Sequence, residues 1–204
     1  MKPEVTLAVM VRNEEKYIDQ CLKYHIPHVS HTVLLDGGSI DKTLEIVGAY
    51  DVTIFKEAEE GVEDSFAARR NLMAKKCSTE WVLMVDADEL FDYDFLTNMV
   101  QYIASDSILR REHVAAFRFP RLNLDNGNPI DYHVRLYKQY VCEWRGQVHE
   151  KLYLKGTDLR VDQAKVGGFE ICQTLEGHNI IHLQRPKEDR LAQRGRWDEL
   201  AEDT

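Results

Sequence analysis

The sequence predicts an α/β fold, with a mainly parallel sheet flanked by helices over its first half and a mixed, strand-rich second half. Three observations predict it. Apolar runs without alternation, such as Trp81-Val82-Leu83-Met84-Val85, read as strands buried on both faces. Stretches with apolar residues at helical spacing lie between these runs, as in βαβ units. Beyond about residue 92 the strand candidates shorten, and turn signals such as Asn126-Gly127-Asn128-Pro129 take over.

Val5–Val11 is the first buried strand. Asn13-Glu14-Glu15 then opens a helix through about Tyr24, with Ile18, Cys21 and Leu22 on one face. His31–Leu35 is a second strand, closed by Asp36-Gly37-Gly38-Ser39, and Ser39 or Asp41 caps a helix over Lys42–Ala49. Val52–Phe55 is a short third strand. Glu63–Lys76 reads as a helix anchored by Phe66, Leu72 and Met73, and Trp81–Val85 is the fourth strand. In the second half, Phe95–Ile103 is helical and Val114–Phe119 is a strand that Pro120 ends. Val134–Tyr137, Glu143–Trp144, Lys151–Leu154 and Ile180–Leu183 are short strands. From Arg185 the chain is polar, a helical tail that stops abruptly at Thr204, the pattern of a domain cut from a longer protein.

With 44% hydrophobic residues, 204 positions suit one domain with a sizeable core. Lys+Arg 26 against Asp+Glu 35 leaves a charge of −9, which argues against a nucleic-acid partner and its basic stripe. No apolar run approaches the roughly 18 residues of a membrane span, and no signal-peptide core precedes the first strand. Cys21, Cys77, Cys142 and Cys172 form no Cys-x-x-Cys pair and read as free thiols in a reducing compartment, the cytoplasm.

The chemistry concentrates at strand ends. Asp86-Ala87-Asp88-Glu89 follows the fourth strand, where two aspartates one residue apart can turn toward one divalent cation, Mg²⁺ or Mn²⁺. Arg12-Asn13-Glu14 and Asp36-Gly37-Gly38-Ser39 end the first and second strands, so all three clusters share one edge of a parallel sheet, where ligands bind. Asp36 is placed to accept hydrogen bonds from a base or ribose, and the glycines after it allow close backbone approach. Arg135 and Lys138 can neutralise phosphate. His149, and slightly behind it His182, which ends the Ile180-Ile181 strand, are candidates to complete a carboxylate metal site, and imidazole suits Mn²⁺ better than Mg²⁺. A Rossmann Gly-x-Gly-x-x-Gly and a P-loop are both absent.

Taken in order, Val9-Met10-Val11-Arg12-Asn13-Glu14-Glu15, Leu35-Asp36-Gly37-Gly38-Ser39-Ile40-Asp41-Lys42-Thr43, Ala68-Arg69-Arg70-Asn71 and Glu80–Glu89 resemble the nucleotide-sugar domain of family-2 glycosyltransferases, which have the GT-A fold. Val134-Arg135-Leu136-Tyr137-Lys138 and Gly146-Gln147-Val148-His149-Glu150 look like a bacterial and viral subgroup related to the lipopolysaccharide-core transferases. The resemblance covers about residues 4 to 183. It implies one glycosyltransferase domain over 1–204: a nucleotide-binding half (1–92), an acceptor-side half (93–184) and a polar tail (185–204).

It further implies that Val11, Arg12, Asn13, Glu14 and Asp36 hold the nucleoside and that Arg70 reaches the base or diphosphate. Asp86 and Ala87 would lie at the ribose and metal, and Asp88 would ligate Mn²⁺ or Mg²⁺ through the diphosphate of a UDP- or GDP-sugar. Gly37 stands where the family usually has Asp or Thr. Gln193-Arg194-Gly195-Arg196-Trp197 spells a family motif, but in the polar tail. Inverting transfer to a glycan acceptor needs a general base, and Glu150 and then Asp131 are the candidates. A non-catalytic nucleotide- or glycan-binding module is the alternative. A haloacid-dehalogenase phosphatase is disfavoured, because its nucleophilic Asp lies near the N-terminus.

Overall fold

A computed structural model describes residues 4–61, 65–108, 114–123, 129–147, 150–166, 169–175 and 177–183. Strands β1 (Val5–Val11), β2 (His31–Asp36), β3 (Thr53–Lys56) and β4 (Trp81–Asp86) alternate with α1 (Ile18–His25), α2 (Thr43–Val47), α3 (Glu57–Glu60) and α4 (Phe66–Lys76). Then follow β5 (Glu89–Phe91), α5 (Tyr93–Ile108), β6 (Ala116–Asn123), β7 (Pro129–Lys138), the hairpin β8 (Cys142–Arg145) and β9 (Lys151–Leu154), the pair β10 (Lys165–Val166) and β11 (Phe169–Glu170), β12 (Cys172–Thr174) and β13 (Ile180–His182).

One nine-stranded sheet runs in the order β3-β2-β1-β4-β7-β6-β13-β5, with β12 also paired to β6. The first four strands are mutually parallel; β7 runs antiparallel to both β4 and β6, and β13 is parallel to β6. The predicted mainly parallel first half and mixed second half are both present. The sheet is covered on both sides, which is why its central strands read as unbroken apolar runs. Val5, Leu7, Val9 and Val11 of β1 pack in one cluster with Ile18 and Leu22 of α1, Val47 of α2, and Phe95 and Met99 of α5. Ala8 faces the other cluster, with Met73 of α4 and Trp144 and Leu152 of the β8–β9 hairpin.

Several sequence expectations need correction. Asn13 does not open a helix: it sits at φ 58°, in the left-handed region that asparagine tolerates, and α1 starts at Ile18. Pro120 does not end β6, which continues to Asn123. Opposite β7, β6 is flanked by β12 only at Ala116–Arg118 and by β13 only from Arg121, so the proline falls at a break in that ladder, where its missing donor is tolerated. Helix α5 is longer than Phe95–Ile103 at both ends, and its first turn is capped by the Asp92 carboxylate accepting the Phe95 N–H at 3.0 Å. Strand β5 was not foreseen. The chain beyond residue 183 lies outside the described residues. All four cysteines are free and buried, and no helix among the described residues is long and apolar enough to cross a membrane.

Candidate active site

The carboxyl ends of β1, β2 and β4 share one edge: Val11 pairs with Asp36, and Met10 with Asp86. The loops after β1 and β2 are stitched together there. Asn13 accepts the Ile40 N–H on its Oδ1 at 2.9 Å and donates its own N–H to Ser39 Oγ at 3.0 Å. The Glu14 N–H donates to Thr43 Oγ1 at 2.7 Å, Glu15 N–H to Asp41, and Lys42 N–H back to Glu15. Asp36 is buried and accepts from the Gly38 and Ser39 N–H groups at 3.2 and 3.0 Å. Gly37 donates to the Val11 carbonyl at 2.8 Å, and a Cβ there would come within 3.2 Å of the Glu57 carboxylate and 3.5 Å of Arg12. The residue that departs from the family pattern thus fits a place with little spare room. Arg12 is exposed, and Val11 belongs to the core.

At the end of β4, Ala87 is buried in the core, and the carboxylates on either side of it go to different partners. Asp86 is bound by arginines: Arg135 Nη2 donates at 2.6 Å and Arg70 Nη2 at 3.5 Å. Arg135 also donates to Glu89 at 2.6 Å, and Arg70 Nε donates to Glu150 at 2.6 Å. A continuous chain of charges therefore runs Glu89–Arg135–Asp86–Arg70–Glu150 under the sheet edge. Burial opposes the charge on Asp86, but Arg135 and then Arg70 outweigh it and hold the carboxyl well below its usual range. Fully buried Glu89 goes the other way, because desolvation exceeds what Arg135 returns. Buried Arg70 Nη1 and Arg135 Nε have no hydrogen-bond partner among the described residues. Such orphaned cationic donors call for an occupant, which ordered water or an anion would supply.

Asp88, 4% exposed, meets His182 instead, with Oδ2 3.1 Å from Nε2. The hydrogen bond to Asp88 raises the His182 pKa above 6.5 against the effect of burial. The Asp88 carbonyl accepts the Leu183 N–H at 2.7 Å, and β13 pairs with β5 so that His182 lies opposite Glu89. Strand β5 is anchored from behind by fully buried His25. Its Nδ1–H donates to the Cys21 carbonyl at 2.8 Å, leaving Nε2 to accept the Phe91 N–H at 3.4 Å. Burial pushes His25 down to about 4, so it stays neutral and this tautomer persists.

Of the two base candidates, Glu150 sits within the arginine chain. Burial works against its charge, but Arg70 draws its pKa below the usual value. Asp131 lies on the β6–β7 ladder, 3.2 Å from Arg121 Nε and 2.9 Å from His133 Nε2, and is likewise lowered, by His133 first and Arg121 next against burial. His149 lies outside the described residues. Sequence reasoning missed Glu89 as the second partner of Arg135; its place beside Asp88 was visible, but its burial was not. It also missed that Asn71, next to Arg70, binds the β8–β9 hairpin.

Asp36→Ala should weaken nucleotide binding by about 1.5–3 kcal/mol, the weight of charge-assisted hydrogen bonds. Asp36→Asn, which keeps an acceptor for the Ser39 N–H, should lose less. Calorimetric titration with UDP and GDP checks this, and an unchanged affinity in Asp36→Ala would place the nucleoside elsewhere.

The architecture is that of the GT-A glycosyltransferases. It superimposes on Staphylococcus aureus TarS 1-349 in complex with UDP-GlcNAc with a TM-score of 0.60 and 16% identity, over 91% of this chain and 59% of that one. It also superimposes on Mycobacterium tuberculosis glucosyl-3-phosphoglycerate synthase in complex with Mn²⁺, UDP and glucosyl-3-phosphoglycerate, with a TM-score of 0.58 and 14% identity, over 92% and 74%. Residues 6–128, more than half of the chain, match glycosyl transferase family 2, and the chain belongs to that family. The SPbeta prophage-derived glycosyltransferase SunS of Bacillus subtilis is 29% identical over 89 residues, 44% of this chain and 21% of SunS. A TPR repeat-containing protein of Synechococcus elongatus is 30% identical over 86 residues, 42% of this chain and 21% of that protein. The matched stretch thus spans about a fifth of the length of these curated relatives.

Proposed function

We propose that this chain moves a sugar from a nucleoside-diphosphate sugar to a hydroxyl of a glycan or other acceptor, with inversion at the anomeric carbon. A UDP-sugar is favoured over a GDP-sugar. The observation that carries the reading is the meeting of Asp88 and His182 on the ligand-binding edge of the sheet, beside two buried arginines with unspent donors. Membership of family 2 supports the reaction class, and the UDP-containing relatives of the fold support the donor. The phage and prophage origin of SunS supports placing the chain with the bacterial and viral subgroup. Four buried free thiols support a reducing, cytoplasmic setting.

The residues fit a divalent cation. Asp88 and His182 supply one carboxylate and one imidazole already facing each other, a set that suits Mn²⁺ better than Mg²⁺. No group of three such side chains occurs among the described residues, so donor phosphates and water would complete the shell. Asp86, bound to two arginines, stands behind this pair. A bound cation offsets the charge that develops on the departing diphosphate. In this reading Arg70 and Arg135 turn their unpartnered nitrogens to the diphosphate. Asp36 and the stitched loops hold the nucleoside, and Glu150 takes the acceptor proton.

A thermal-shift screen of nucleotide sugars with Mn²⁺, followed by product analysis, tests the proposal. One UDP-sugar should stabilise the protein and turn over. Binding with no turnover on any acceptor would favour a non-catalytic binding module.

The pH dependence follows from His182. Its folded pKa is raised, so the Asp88–His182 pair contributes its full stability below about 6.5 and loses it as pH rises through the raised value. A metal needs the neutral imidazole, so Mn²⁺ affinity should rise with pH over that same window. Mn²⁺ titration followed by electron paramagnetic resonance, with UDP present, should show this rise in the native chain and lose most of it in His182→Asn. An affinity independent of pH in the native chain would remove His182 from the ligand set.

A further inference from the structure

The β8–β9 hairpin is not part of the nine-stranded sheet, yet it delivers two side chains to Arg70. Trp144 of β8 lies 5.2 Å from the guanidinium carbon, ring centroid to Cζ, and Glu150, just before β9, takes Nε at 2.6 Å. The hairpin is itself held by the next residue of α4. Asn71 Nδ2 donates to the Trp144 carbonyl at 2.8 Å, and Asn71 Oδ1 accepts the Trp144 N–H at 2.8 Å. A side-chain amide thereby imitates one rung of a β-ladder, with both of its dipoles used and 73 residues of chain closed. The Phe66 N–H adds a longer bond to the Gln147 carbonyl at 3.3 Å.

We infer that Asn71 is a positioning residue for the Arg70 guanidinium. By fixing Trp144 against one face of that group and Glu150 against its Nε edge, it aims the buried, unpartnered Nη1 at the anion of the ligand. The inference rests on the proposed function only for the identity of that ligand, a nucleoside diphosphate. Its geometric content stands apart. A planar guanidinium is directed by what it stacks on and by its bidentate edges. Here the hairpin supplies the ring over which the guanidinium lies and one edge, and Asp86 supplies another. Losing the amide rung would free the hairpin to drift from α4 and let Arg70 follow Glu150.

The test compares Asn71→Ala with Gln139→Ala. Gln139 is a comparable amide clamp whose side chain bonds neither Arg70 nor its partners, donating instead to the Cys77 and Thr79 carbonyls. In the native chain, the Arg70 Nε–H, held by Glu150, should give a slowly exchanging nuclear magnetic resonance signal, assigned by its disappearance in Arg70→Lys. Asn71→Ala should lose that signal and weaken UDP binding in the presence of Mn²⁺ by about tenfold, the weight of one hydrogen bond to a charged group. Gln139→Ala, at a similar cost in melting temperature, should keep both. If Asn71→Ala retains the signal, or Gln139→Ala loses it equally, the positioning role is overturned. If the signal is lost while UDP affinity stays unchanged, the clamp stands and Arg70 leaves the donor site, which separates this inference from the functional reading beneath it.

Discussion

Asp88→Asn is expected to abolish turnover while the protein stays folded. The substitution keeps the volume of the side chain and leaves the backbone carbonyl to accept the Leu183 N–H, so β13 keeps its anchor. It removes the negative charge that faces His182. If that charge holds a cation against the departing diphosphate, the transition state loses a stabilisation on the order of several kcal/mol. Measured above the raised His182 pKa, where the ion pair no longer contributes, circular dichroism and melting temperature should change little, while product formation falls below detection. Excess EDTA should have the same effect on the native chain, and full activity in EDTA would end the metal-dependent reading.

Glu150→Gln is expected to cut turnover by about 10²–10⁴, the range for losing a general base. Nucleotide binding should change far less, because a base acts on the transition state rather than on the bound donor. Asp131→Asn is the comparison. Its carboxylate is tied to Arg121 and His133 on the β6–β7 ladder and not to Arg70 or Arg135, so its loss should matter less. If both variants turn over at near native rate, neither is the base. If Asp131→Asn alone is inactive, the assignments are reversed. Product that retains the donor's anomeric configuration would overturn inversion itself.

The strands of the first half were legible because both faces of the sheet are covered: β1 runs Val5–Val11 as expected, and β2 and β4 each extend one residue further, to their aspartates. The strand-end clusters were legible for the same reason, since polar residues appear where a buried strand emerges. Bonds between distant segments were not. Asn13 looks like a helix cap in any short window, yet its side chain serves Ile40, 27 residues on. Asp86 and Asp88 read as a pair, but Arg135, 49 residues later, takes one of them. Strand β5 has three residues, one of them a buried glutamate, and no local pattern announces it. His182, which meets Asp88, drew notice because it closes an apolar strand, which a sequence does display.

The reciprocal bonding of the loops after β1 and β2 ties that rim of the sheet edge into one unit. On that rim the amides of Asn13, Glu14, Glu15, Ile40 and Lys42 are all spent on the opposite loop, so neither loop can open without unzipping the other. Cross-bonding of this kind restrains segments of a sort that is commonly drawn from the softest part of a protein. A nucleotide would therefore meet a surface shaped in advance, with little ordering entropy left to lose.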